Sequence, residues 1–144
     1  MRQFSYGVAV GTLPIRRLGP GDGDVVARLA GREPRTALLD DPSTIFVAAF
    51  DRDEPVGFAF GYVLDRRHGE ERMLFVYEVD VGERYRRRGI ARRLLRELFR
   101  LAAEAGAGER FVLTEPDNEA ANALYASLGG RPSTVVMVEW PPER

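Results

Sequence analysis

The chain has 144 residues, 44% hydrophobic and 30% charged, which suits one soluble globular domain. That balance excludes disordered, collagen-like and coiled-coil classes, and no apolar run approaches the roughly 20 residues of a membrane-spanning helix. Net charge is −1 but unevenly spread. Residues 1–83 hold 10 Arg against 14 acids, and residues 84–144 hold 11 Arg against 8. An acidic half beside a basic half points to two ligands of opposite sign.

The N-terminal stretch has no apolar segment ending in a cleavage site, so no leader is expected and the chain reads as cytoplasmic. Gly19-Pro20-Gly21 is a turn, and Asp22 or Asp24 can cap a short helix over Val25–Ala30. Residues 35–41 read as a second short helix. Three β-rich runs follow, Thr44–Phe50, Val56–Leu64 and Met73–Val81. Their connections are short and polar, which predicts antiparallel pairing. From Gly89 to Ala105 the apolar residues Ile90, Leu94, Leu95, Leu98, Phe99 and Ala102 recur at helical spacing. A strand over Phe111–Thr114, a helix over Asn118–Leu128 and a last strand over Val135–Trp140 complete the order. The fold class is mixed α/β with a largely antiparallel sheet, in a single domain over 1–144.

Residue supply limits the chemistry. Cysteine is absent, which excludes disulfides, thiolate catalysis and Cys-based zinc. His68 is the sole histidine and sits in a polar loop, so a His-centred triad and a multi-His metal site lack parts; no metal is expected. All 21 basic residues are Arg, so Schiff-base lysine chemistry is also excluded.

The most informative segment is Val79-Asp80-Val81-Gly82-Glu83-Arg84-Tyr85-Arg86-Arg87-Arg88-Gly89-Ile90-Ala91. An apolar strand runs into a basic loop, and a helix starts at a glycine. Free N–H groups at that helix start, close backbone approach at Gly89 and Ala91, and the arginines together make a pyrophosphate site. The spacing is neither a Walker loop nor a dinucleotide fingerprint. Aromatics do not interleave with the Arg run beyond Tyr85, so nucleic acid is not the expected ligand.

Arg86-Arg87-Arg88-Gly89-Ile90-Ala91 resembles the Arg/Gln-x-x-Gly-x-Gly/Ala loop of the GNAT superfamily of acetyl-CoA-dependent N-acetyltransferases. Asn118-Glu119-Ala120-Ala121-Asn122-Ala123-Leu124-Tyr125 resembles the second motif of that superfamily, in the expected order. The resemblance implies a sheet splayed into a V, with the pantetheine arm of acetyl-CoA in the gap. It implies backbone contacts to that arm near Val79 and Val81, pyrophosphate contacts from Arg86, Arg87, Arg88, Gly89, Ile90, Ala91 and Arg92, and a pantetheine contact at Asn118.

Acetyl transfer to an amine needs a base for the ammonium and benefits from an acid for the leaving thiolate. Glu78 and Asp80 are the carboxylate candidates, two apart on an apolar strand and expected to have raised pKa values. The resemblance favours Glu78 as base and Tyr125 as acid. Ile45–Asp51, Pro55-Val56-Gly57, Tyr62-Val63-Leu64 and Val76-Tyr77-Glu78-Val79 further resemble the short GNAT-type aminoglycoside 3-N-acetyltransferases. That implies an aminoglycoside acceptor, a small polyamine, with Tyr77, Asp80 and Glu115 on the substrate side. The sequence departs from that pattern in having Glu at position 78 and an acid at position 80. A protein N-terminus, a lysine or another polyamine stays open as acceptor, as does a CoA-binding module without catalysis. The last strand offers an edge for pairing into a homodimer.

Overall fold

The computed structural model describes residues 13–144. The chain divides into two compact units, the first ending at Leu113 and the second spanning Thr114–Arg144. The N-terminal segment on which the leader reading rests lies largely outside the described residues.

The first unit is one five-stranded sheet in the order β1 to β5. The strands are β1 (Ile15–Arg17), β2 (Thr44–Asp51), β3 (Glu54–Leu64), β4 (Arg72–Val81) and β5 (Ala107–Val112). Neighbours β1 to β4 pair antiparallel, whereas β5 joins β4 in parallel. Helix α1 (Gly23–Ala30) precedes β2, and α2 (Ile90–Glu104) forms the crossover between β4 and β5. Short 3-10 turns occupy Pro20–Asp22, Ala37–Asp40 and Glu83–Tyr85. The segment 35–41 expected as a helix forms only one of these turns.

The alternation along the strands sorts the core into two layers. Val47, Ala49, Ala59 and Leu74 are fully buried, as are Leu94, Leu95 and Leu98 of α2, which packs against β2, β3, β4 and β5. Val25 and Val26 of α1, with Leu18 and Leu39, pack on Phe46, Phe50 and Phe60. The sheet face that carries those phenylalanines continues as a run of rings. Phe46 stacks on Phe60 at 5.0 Å, Phe60 meets Tyr77 at 5.4 Å, and Phe75 stacks on Phe111 at 4.8 Å between centroids.

Two irregularities shape β4. Phe60 pairs with Glu78 but Gly61 pairs with Val76, so Tyr77 is the extra residue of a β-bulge. Gly61 permits it, since a Cβ there would lie 2.4 Å from the Phe75 carbonyl oxygen. The β4–β5 ladder runs from Arg72↔Ala107 to Val76↔Val112 and stops. Beyond it, Tyr77–Val81 pairs with β3 alone.

The second unit holds α3 (Glu119–Ser127). None of residues 114–144 falls in the buried class. The strand expected over Val135–Trp140 does not form: residues 130–144 carry no regular secondary structure. Apolar content alone does not make a strand; its N–H and C=O groups need a partner strand. Trp140, at the end of that run, is 84% exposed. The fourth predicted strand also shifts: it begins at Ala107, because Gly106 turns at φ +86° and Ala107 already pairs with Arg72.

Gly61→Ala should lower stability by about 1–3 kcal/mol, the usual cost of forcing atoms into a packed site, read as a drop in Tm. At the start of α1, Asp22 accepts two hydrogen bonds from Arg16 at 3.0 and 3.1 Å and one from Gly19 N at 2.8 Å. The Arg16 guanidinium and then the Gly19 amide hold its carboxyl below the usual range. Asp22→Ala should cost about 1 kcal/mol, the usual net value of a hydrogen bond. The carboxylate is favoured in the native state, so its contribution is present above the unfolded pKa of about 3.9 and fades as pH falls through the lower native value. Stability curves of wild type and variant should therefore converge in acid.

Candidate active site

The candidate base stands on β4 just past the bulge. Cross-strand pairing sets Glu78 opposite Phe60 and Asp80 opposite Phe58, so the two carboxylates share the aromatic face, as their spacing predicts. Their surroundings differ from expectation. Both are exposed. Asp80 accepts from Val81 N at 2.9 Å and from Arg86 at 3.4 Å, which gives it a structural role at the strand end.

Tyr77, the bulged residue, is 58% exposed and packs edge-on to Tyr62 at 5.6 Å and Phe75 at 5.7 Å. Burial, and then the neighbouring Tyr77, Asp41 and Glu78, raise the Tyr62 phenol above its ordinary 10. Tyr62 stands two residues after Phe60, the partner of Glu78, and its ring meets Phe60 at 5.8 Å, so it lies near Glu78 on the same face. Tyr62 was not singled out as a site residue from sequence. The signal was its place on β3 opposite Phe75, which needs the register to be seen.

The anion cradle follows β4. Gly82 N donates to Val56 O at 2.8 Å and Tyr85 N to Gly82 O at 2.8 Å, closing the turn. Arg86 folds back: its Nε donates to Val81 O at 2.9 Å. The expected phosphate ligand Arg86 is thus engaged with the end of β4, and both backbone polar groups of Val81 already have partners. Arg87 adopts φ +63° and Gly89 φ +78°, two left-handed steps that swing the chain into α2. Gly89 caps α2 with no side-chain bond, the first turn carries no acid, and a Cβ at Gly89 would meet nothing within 4 Å. The first intrahelical bond is Arg93 N to Gly89 O, which leaves the N–H groups of Ile90, Ala91 and Arg92 free of helical acceptors. Arg92 Nε is buried without a partner. Arg87 and Arg88 are exposed. An open helix start with unsatisfied donors and flanking cations fits a pyrophosphate. Val79 lies opposite Ala59 on the part of β4 that β5 does not cover.

In the second unit, Asn118 caps α3 by accepting from Ala121 N at 3.1 Å. Asn122 Nδ2 donates to the carbonyls of Glu115 at 3.1 Å and Pro116 at 3.3 Å. The motif asparagines therefore tie down the entry to the helix. Glu115 contributes its backbone to that turn and leaves its side chain exposed. Tyr125 is half-buried, and burial raises its phenol above the ordinary 10, which keeps the proton available near neutrality. Among the described residues no cluster of three or more His, Asp and Glu could hold a metal ion, and no helix is long and apolar enough to cross a membrane.

Residues 16–129 match the acetyltransferase (GNAT) family. The chain belongs to the GNAT family. It is 33% identical over 90 residues to the L-2,4-diaminobutyric acid acetyltransferase of Methylotuvimicrobium alcaliphilum, covering 62% of this chain and 51% of that one. The chain thus spans about half the length of the curated relatives it matches. It also superposes on HMB0005, an aminoglycoside acetyltransferase from an uncultured soil metagenomic sample. There the TM-score is 0.81 at 29% identity, over 92% of this chain and 99% of that one. A second soil-metagenome aminoglycoside acetyltransferase, meta-AAC0020 in complex with sisomicin, gives a TM-score of 0.84 at 21% identity, over 92% and 98%. The last is a likeness of fold. The sheet parted after Val76↔Val112 agrees with the splayed GNAT sheet.

Asn118→Ala should cost the helix about 1 kcal/mol, the usual value of a side-chain cap. Faster amide exchange at Ala121 and Asn122 would show it, and Asn118→Asp should restore protection.

Proposed function

We propose that this protein transfers an acetyl group from acetyl-CoA to an amino group of an aminoglycoside. The whole chain acts as one acetyltransferase domain, since the family match crosses the boundary between its two units. The observation that carries the reading is the juxtaposition on β4. A carboxylate, Glu78, stands exposed on the aromatic face, five residues before the turn that leads to an open, cation-flanked helix start.

Acetyl-CoA supplies the acetyl group as a thioester. The N–H groups of Ile90, Ala91 and Arg92, with Arg87 and Arg88, bind its phosphates, and the β4 edge near Val79 binds the arm. The acceptor amine forms the new amide bond as the thioester C–S bond breaks. Glu78 takes the ammonium proton, Tyr125 gives its proton to the thiolate, and the second proton lost by the nitrogen on amide formation restores Tyr125. Tyr62 and Tyr77 favour a cationic acceptor by their ring faces. Likeness to the aminoglycoside acetyltransferase HMB0005 supports the substrate. Identity with the diaminobutyric acid enzyme favours a second reading, a small diamine acceptor.

The decisive measurement is CoA release with sisomicin, gentamicin, spermidine, 2,4-diaminobutyrate and a lysine peptide as separate acceptors. Turnover confined to the aminoglycosides is expected; turnover confined to diaminobutyrate would move the assignment to the second reading. Glu78→Gln should lower kcat by about 10²–10⁴-fold, the range for a lost general base, with acetyl-CoA binding unchanged. Equal activity would remove Glu78 from the mechanism.

A further inference from the structure

One side-chain contact reaches across the sheet end to the arginine loop. Tyr85 Oη donates to Asp51 Oδ2 at 2.7 Å, although 34 residues separate the two. Asp51 closes β2 at the β2–β3 hairpin, where it pairs with Glu54 and Arg52 turns at φ +59°. Because β3 runs antiparallel to both β2 and β4, this hairpin lies at the edge where β4 ends: Gly57 pairs with Val81. The Asp51 carboxylate holds the Tyr85 phenol above its ordinary 10, consistent with a bond that keeps the proton on tyrosine.

The ring so anchored has cations on both sides in sequence. The guanidinium carbons of Arg84 and Arg88 each lie 5.9 Å from its centroid, at the outer limit of cation–π attraction. Arg84, Arg86, Arg87 and Arg88 crowd five positions, and like charges this close repel. Arg86 is held separately, by Val81 O and Asp80. Arg88 is the last residue before the Gly89 cap. Its recorded contact is with the Tyr85 ring, and the hydroxyl bond to Asp51 fixes that ring.

We propose that the Asp51–Tyr85 hydrogen bond is a latch that preorganises the arginine loop for the phosphates of CoA. It rests on the cofactor reading above and adds two residues to it. Both are positioning residues: they act through Arg84 and Arg88. Without the bond, the loop must be ordered at the moment of binding, and affinity falls by that ordering cost.

The test is calorimetric titration of CoA into wild type, Tyr85→Phe, Asp51→Ala and the double variant, without any acceptor. A charge-assisted hydrogen bond that sets the loop should weaken binding by about five- to twentyfold when either partner is removed. The double variant should be no weaker than either single one, because one shared contact is lost in all three. Asp51→Asn keeps an acceptor oxygen and should recover part of the affinity. It also guards against a misfolded Asp51→Ala. With acetyl-CoA as varied substrate, KM should rise by the same factor at constant kcat. Wild-type CoA affinity in both single variants would overturn the latch, as would independent, multiplying losses in the double variant. A fall in Tm with affinity retained would do the same. Absence of CoA binding by the wild type would overturn the cofactor reading itself, and the latch with it.

Discussion

Strand β4 has two neighbours along its first half and one along its second. Every backbone N–H and C=O taken from water needs a partner, so a strand that loses a neighbour midway must expose its groups or meet something else. Here β5 leaves after Val112, and Tyr77–Val81 becomes a free edge within the first unit. The bulge at Tyr77 falls at that same point. It adds local twist and turns an extra aromatic side chain onto the face shared by Glu78. Gly61 is what makes this backbone approach sterically feasible. The parting of the ladder and the extra ring of Tyr77 on the aromatic face thus fall at one departure from regular pairing.

The arginine loop is the second consequence of where β4 ends. A helix start with open N–H groups attracts anions, but four arginines within five residues oppose their own gathering. The loop is held by contacts drawn from three strands: Val56 O of β3 for Gly82, Val81 O and Asp80 of β4 for Arg86, and Asp51 of β2 for Tyr85. The antiparallel meander brings these three strand ends together. The acidic half of the chain therefore has a structural use: Asp80 pairs with Arg86 and Asp51 anchors Tyr85, both in the basic loop or at its edge.

Much of this was legible in the residues. The stripe Ile90, Leu94, Leu95, Leu98 and Ala102 marked the buried face of α2, because helical period and burial coincide in a helix that covers a sheet. The Arg-x-x-Gly-x-Ala segment marked the turn into α2, where Gly89 does adopt a positive φ. Residue type says less where neighbours decide. Arg86 stands in the cradle motif, and its type does not reveal that its Nε meets a strand-end carbonyl. Glu78 lies among apolar residues in sequence, yet its side chain is exposed. Val135–Trp140 has strand-forming residues and no strand to pair with.

Residue type and local period are enough to limit the chemistry and to place most of the elements. They exclude thiol, lysine and multi-histidine chemistry, put a helix behind a glycine after a basic loop, and set Glu78 and Asp80 on one face. The register is legible only in the folded chain. The bulge at Tyr77, the early end of the β4–β5 ladder, the place of Tyr62 near Glu78 and the bond between Asp51 and Tyr85 all depend on which residues oppose one another across strands. Pairing of that kind is a property of distant segments meeting, and a one-residue shift would change every partner while leaving each local pattern intact.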